Sequence, residues 1–386
     1  MLPVSDAPLI ATVLPPGEGF GPGRTGAVGL IVRRLARMVP ALVLGGEQAG
    51  PVFDEVPFRA VRSPRFLPGN VNTRYAAGIA RALRQIGPAL IEVHNRTEVA
   101  LSLARRFPRT PVVLFLHNDP QSMRHAGRPE QRTRLLSRLA RVVTVSEFLR
   151  RRLLDGVQAP AGRSPVVLPN PIDLAALPAP QRQQPLILFA GRVVPEKGAD
   201  AFVAACETAL PQLPGWQAAV IGADRFRADS PETRYVRQVR AAAARGGVRM
   251  LGYRDHPEVL MELSRAAIAV VPSRWAEPFG LAALEAMACG AALVCSDRGG
   301  LPEVAGDAAV YVNPDDVSGM AQAIVALAGD PERLADLALA GRNRARSFGL
   351  EAAAMRLTAL RRQVLGEFGA AGGPESRPAL YTAHRD

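Results

Sequence analysis

Lysine is all but missing from this sequence. Of 47 lysine and arginine side chains in 386 residues, one, Lys197, is a lysine. A bias this severe is most simply compositional, and a lone loop lysine is as a rule solvated and idle. Yet a compact ammonium on a flexible stem fits phosphate sites that a planar guanidinium does not, which makes the exception worth following. Cysteine is scarce too. Cys206, Cys289 and Cys295 lie in apolar stretches without metal-ligand spacing, which excludes a disulfide scaffold or a zinc cluster and reads as reduced core residues. Aromatic residues make up only 5% of the chain and do not interleave with the arginines, so the stacking platforms of a nucleic-acid binder are missing. Long hydrophobic runs are absent as well. The apolar stretch from Pro8 to Pro16 is too short for a signal or membrane helix, and a cytoplasmic protein is expected.

What is present is the composition of a globular protein, 48% apolar and 21% charged, with 35 glycines and 34 prolines implying many ordered turns. The length suits two domains. The net charge of +12 is uneven: residues 1–180 carry 24 arginines against 12 acidic residues, whereas residues 181–386 carry 23 of each sign. Arginines cluster in 124–141 and at Arg150, Arg151 and Arg152, interleaved with leucines at helical spacing. Such a face either contacts anionic lipid, at about 1 kcal/mol per side chain, or is simply solvated.

Apolar runs rich in Val, Ile and Leu alternate with amphipathic segments. "PLIATVL" (8–14), "PALVLG" (40–45), "ALIEVH" (89–94), "PVVLFLH" (111–117), "RVVTVS" (141–146) and "PVVLPN" (165–170) form one set. The polar, proline-rich "PAPQRQQP" (178–185) follows as a linker. The pattern then restarts with "LILFAG" (186–191), "WQAAVIG" (216–222), "VRMLG" (248–252), "AIAVVPS" (267–273) and "AALVCS" (291–296). Continuous apolar strands alternating with helices predict two doubly wound parallel sheets of the Rossmann-like α/β class, facing each other across a cleft. The expected domains are 1–178 and 185–347, with an amphipathic helix over 348–368 crossing back onto the first and a disordered tail over 369–386.

In open parallel sheets ligands sit outside the carboxyl ends of strands. There the second half places "RVVPEKG" with Arg192 and Lys197, "SRWAEPFGLAALEAMACG" with Glu277 and Glu285, and "DRGGLPEV". The amides of Phe279, Gly280 and Leu281 open a helix between the two glutamates and offer an anion site. The set suits a nucleotide sugar: hydroxyls on the carboxylates, and a diphosphate on the amides with the two cations alongside, each contributing roughly 4 kcal/mol at about 4 Å before desolvation. No Asp-x-Asp occurs, so metal help is not expected, and the cations stand in for it.

These stretches, with "VYVNPDDVSGMAQAI", "TVSEFLRRRL" and "VLPNPID", resemble the retaining glycosyltransferase family 4, whose members have the GT-B fold and use nucleotide-diphosphate sugars. The resemblance covers most of residues 140–325. It implies that Arg192 and Lys197 hold the donor diphosphate, Glu277 the sugar and Glu285 the ribose, with the backbone around Gly252 and Tyr253 meeting the base. It also places Gly26, in a Thr25-Gly26 pair where Gly-Gly is commoner, in the loop near the donor phosphates. His117, at the end of "LFLH", takes the position of a cleft histidine that contacts the sugar or acceptor; His94 reads as structural. Retention by front-face attack and a glycan or lipid-linked acceptor are further implications, and the basic first half suggests envelope polysaccharide or lipopolysaccharide synthesis at the inner membrane face.

A non-hydrolysing sugar-nucleotide 2-epimerase shares the architecture and would turn over the donor without an acceptor. A silent binding subunit would carry an eroded Arg/Lys/Glu set. A glycosidase pair is disfavoured because Glu285 is poorly placed to share one glycosidic bond with Glu277. A dinucleotide dehydrogenase is disfavoured because "GFGPGRTG" lacks a clean G-x-G-x-x-G and no acidic residue ends the second strand.

Overall fold

The computed structural model describes residues 8–64, 66–157, 163–179, 181–225 and 229–371. Two parallel sheets organise the chain. The first contains β1 (Ile10–Val13), β2 (Leu42–Gly46), β3 (Phe58–Val61), β4 (Leu90–His94), β5 (Val112–Leu116), β6 (Arg141–Thr144) and β7 (Val166–Val167), in the order β3-β2-β1-β4-β5-β6-β7. The second contains β8 (Gln184–Ala190), β9 (Gln217–Ile221), β10 (Val248–Gly252), β11 (Ala266–Val271), β12 (Ala292–Cys295) and β13 (Ala309–Tyr311), in the order β10-β9-β8-β11-β12-β13. Every pairing is parallel.

The apolar runs become strands because both faces of each sheet are covered. Every residue of β4, β5 and β6 is buried. In the first domain, helices Val71–Ile86, Thr97–Arg106 and Pro129–Arg138 pack on one face, and Ala27–Met38 with Leu350–Ala371 on the other. The edge strands β3 and β13 are not among the expected ones. Each has one neighbour and is only partly buried, so neither needs a continuous apolar run.

Strand order reverses between β1 and β4 and again between β8 and β11. Diverging connections at such a point leave a crevice at the carboxyl ends. The loops leaving β8 and β11 are therefore neighbours across that crevice, and they carry Arg192, Lys197 and Glu277.

The last helix, Leu350–Ala371, returns to the first domain, burying Leu357, Leu360 and Val364 against Ile10, Leu90 and Val113. Arg361 donates from Nε and Nη2 to Glu92 on β4, both at 2.8 Å, and from Nη1 to the carbonyls of Val39 and Pro40. Residues 369–371 belong to this helix rather than to a tail, and 372–386 lie outside the described residues.

Two arginines of the expected basic face are internal. Arg132 is 2% exposed and donates to the carbonyls of Leu153, Ala126, Gly127 and Asp155, while Arg141 pairs with Glu367 on the last helix. Helical spacing alone does not separate an arginine that ties loops together from one that faces solvent. Cys206 and Cys295 are buried and free, and Cys289 is half-buried. Among the described residues no helix is long and apolar enough to cross a membrane.

Candidate functional site

The loop leaving β8 turns through the short 3-10 helix Pro195–Lys197 into helix Ala199–Ala209. The turn requires Gly198: its φ is +72°, and a Cβ there would overlap the Pro272 carbonyl at the end of β11. This close approach brings the two loops together. Lys197 Nζ donates to Glu277 Oε1 at 2.5 Å, and Ser273 Oγ donates to the same oxygen. Lys197 Nζ also lies 6.0 Å from the centre of the Trp275 ring. Glu277 is buried, and its backbone is held from behind: the Gly300 amide donates to its carbonyl at 2.7 Å. The glycine pair of "DRGGLPEV" thus positions the glutamate.

Helix Leu281–Cys289 starts at Gly280, whose φ of +111° few side chains tolerate. The first amides of the helix have no partner within it, and the positive end of its dipole faces the cleft. Glu285, one turn on, accepts from His256 Nε2 at 2.8 Å and from Arg34 Nη2 at 3.4 Å. Burial works to neutralise this carboxyl, but the His256 hydrogen bond, foremost, and the Arg34 guanidinium hold it below the usual range. His256 opens helix His256–Arg265, whereas Arg34 comes from the first domain, on helix Ala27–Met38. Sequence reasoning found neither. Arg34 lies 251 residues from Glu285, and nothing local marks it among so many arginines.

Across the cleft, His117 follows β5 and His94 ends β4. Their Nε2 and Nδ1 atoms are 2.9 Å apart, with the rings stacked at 5.2 Å. Burial depresses the affinity of both for protons: His117 lies well below the ordinary histidine range, and His94 falls to about 3, where Arg361 also contributes. Two neutral imidazoles sharing one hydrogen bond leave His117 Nδ1 as a donor in one tautomer and an acceptor in the other. That atom is buried and has no partner among the described residues.

A cleft cavity of about 480 Å³ joins these groups. Arg192, Lys197, Glu277 and Glu285 line it from the second domain, with Phe279, Gly280 and Leu281 at the helix start. Tyr253 lines it at the end of β10; the neighbouring Gly252 does not, but its carbonyl accepts from the Gly222 amide. Gly26 and His117 line it from the first domain. His94 sits behind His117, outside the lining. The structure thus collects on one cavity Arg192 and Lys197 together with Arg34, Arg225 and Arg254, two carboxylates, a helix start and an unsatisfied imidazole nitrogen. Among the described residues, no group of three or more His, Cys, Asp or Glu could hold a metal ion.

The model of "Glycosyltransferase Family 4" matches residues 28–176, and that of "Glycosyl transferases group 1" matches 177–344. The lipopolysaccharide core biosynthesis mannosyltransferase LpsB of Rhizobium meliloti is 30% identical over 241 residues, covering 56% of this chain and 67% of that protein. A glycogen synthase of Mycobacterium tuberculosis is 35% identical over 184 residues, covering 46% of this chain; the chain spans only 43% of that relative. Among solved structures, sucrose-phosphate synthase from Thermosynechococcus elongatus superimposes with a TM-score of 0.77 at 21% identity, covering 93% of this chain and 100% of that one. Anabaena HepE in complex with UDP and glucose superimposes at 0.74 and 18% identity, covering 92% and 100%. Two parallel-sheet domains, an Arg/Lys loop and the paired glutamates thus meet at one cleft, and the chain belongs to glycosyltransferase family 4 and has the GT-B fold.

Proposed function

We propose that the protein is a retaining glycosyltransferase that moves a sugar from a UDP- or GDP-linked donor to a hydroxyl of a glycan or lipid-linked acceptor. The observation that carries this reading is the Lys197 ammonium held 2.5 Å from the Glu277 carboxylate, beside a helix start, at the crevice between β8 and β11. The donor diphosphate lies on the first amides of helix Leu281–Cys289, with Arg192 and Lys197 neutralising the charge that develops as the glycosidic bond breaks. No metal is needed for that step. Glu277 accepts from sugar hydroxyls and steadies the positive charge on the anomeric carbon. Glu285 takes the ribose hydroxyls, and the backbone at Gly252 and Tyr253 meets the base. His117 offers Nδ1 to the sugar or the incoming hydroxyl. In front-face attack the acceptor approaches on the leaving-group side, and a donor phosphate oxygen takes its proton, which accounts for retention. HepE was solved with UDP-glucose, which supports a UDP donor.

Calorimetric titration with UDP and GDP tests the donor site directly: one of the two binds with heat, and binding by neither removes the reading. Lys197→Ala and Glu277→Ala are expected to remain folded and to lose transfer by 100-fold or more, on the order of the loss of one preorganised charge stabiliser. Full activity in either variant overturns the role given to that residue.

As part of this proposal, the acceptor sits at an anionic membrane surface, on the cytoplasmic face. Phe66 is 101% exposed, with Leu67 and Val71 exposed beside it and Arg62 and Arg74 flanking the loop. This supports peripheral contact through that part of the first domain. Co-sedimentation with vesicles is expected to require anionic lipid, to fall at high salt and to fall further in Phe66→Ser. Binding indifferent to lipid charge and salt removes the membrane contact.

A further inference from the structure

We infer that Arg274 is a positioning residue that holds the Lys197 loop in register with the Glu277 loop. It does not line the cleft. Its guanidinium donates from Nη1 and Nη2 to Asp200 at 2.6 and 3.0 Å, in the first turn of the helix that follows Lys197. Nη1 also reaches the Pro195 carbonyl at 3.2 Å, inside the turn that carries Lys197. Nε donates to Asp315 at 3.2 Å, and Arg298 donates to the other oxygen of that carboxylate at 3.2 Å. The backbone makes the same connection, since the amides of Arg274 and Trp275 donate to the Glu196 carbonyl at 2.9 and 3.3 Å. Asp200 is itself fixed by the Tyr235 hydroxyl at 2.7 Å.

The loops after β8 and β11 are therefore one braced unit. Arg274 is its cross-member, three residues before Glu277 and bonded to both sides of Lys197. A planar fork makes these contacts at once, whereas an ammonium at this position keeps the charge but loses the paired geometry on Asp200. The brace rests on the proposed donor site only in its consequence for catalysis. Its geometric content concerns this chain alone. Misplacing a charged group by about 1 Å costs on the order of 100-fold in rate, so the brace sets how well the ammonium and the carboxylate serve the donor.

Lys197 is the only lysine, which gives a probe independent of turnover. Reductive methylation with ¹³C-formaldehyde labels Lys197 and the terminal amine, and the dimethyl-lysine NMR signal reports the surroundings of Nζ. In the otherwise unchanged protein, Glu277→Gln is expected to move this signal. In the Arg274→Ala background the signal shifts, and adding Glu277→Gln no longer moves it. In Arg274→Lys the response is partly restored. Near-ultraviolet circular dichroism and the melting temperature establish that the variants are folded. Should Arg274→Ala not fold, Asp200→Asn removes the same anchor more gently and is read in the same way. With the donor that titration identifies, Arg274→Ala is expected to lower kcat/KM by roughly 10- to 100-fold, with Arg274→Lys between the two. A Lys197 signal that keeps its position and its response to Glu277→Gln in folded Arg274→Ala or Asp200→Asn overturns the inference. If neither UDP nor GDP binds, the donor reading fails while the NMR response still decides the brace.

Discussion

His94 and His117 are neutral in the fold because burial takes away the water that would solvate an imidazolium. Unfolded, each would titrate near the ordinary value of about 6.5. Folded, His94 titrates at about 3 and His117 also well below that value. Above the unfolded pKa neither state binds the proton, and stability is insensitive to these groups. As pH falls below it, the unfolded chain takes up protons that the folded chain refuses, and stability drops by up to about 1.4 kcal/mol per pH unit for each group. Denaturant midpoints measured from pH 7 down to pH 5 are therefore expected to fall, and to fall less steeply in His94→Asn. An unchanged slope would mean that His94 is solvated. His117, neutral across this range, contributes no ionisation near pH 6.5 to kcat/KM. At this scale the sequence exposed Lys197, Arg192, Glu277 and Glu285 clearly, because each lies within a loop whose local pattern announces a strand end. It did not expose the imidazole pair, since β4 and β5 had to be laid side by side before residues 94 and 117 could meet.

The helix Leu350–Ala371 shows how an element far along the chain completes a domain built at its start. Its apolar stripe was legible from periodicity. Its polar anchor was not, because Arg361 is one arginine among many until Glu92 is found beneath it. The pair is nearly dry, with side chains 8% and 3% exposed. Removing one partner of such a pair leaves a buried charge without compensation, at a cost of about 3–5 kcal/mol. Arg361→Ala is expected to lose that much in chemical denaturation, and the double variant Arg361→Met, Glu92→Leu to recover most of it. A loss under 1 kcal/mol in the single variant would show that water reaches Glu92. The edge strands β3 and β13 went unread for the opposite reason: partial burial removes the apolar run by which the central strands are recognised.

At the scale of the molecule, the two domains are joined by specific contacts beside the cleft. Glu303 of the second domain accepts from the amides of Glu147 and Phe148, at 2.6 and 2.5 Å, at the start of a first-domain helix, Glu147–Leu154. Ser146 Oγ donates to the Pro278 carbonyl at 2.5 Å, next to Glu277. Arg34 reaches across to Glu285. Glu303→Ala leaves two amides without their acceptor, a loss of roughly 1–3 kcal/mol. It is expected to raise the radius of gyration in small-angle scattering and to lower kcat; an unchanged scattering profile would show that other contacts set the closure. The sequence by itself determined the α/β class, the two-sheet plan and the loops that bear charge, because strand runs and helix starts are written in local periodicity. Only the tertiary structure decided which arginines are internal, which residues back Glu285 and how the Lys197 loop is held against the Glu277 loop. Those outcomes depend on which distant side chains come within hydrogen-bonding reach, and no local pattern carries that distance.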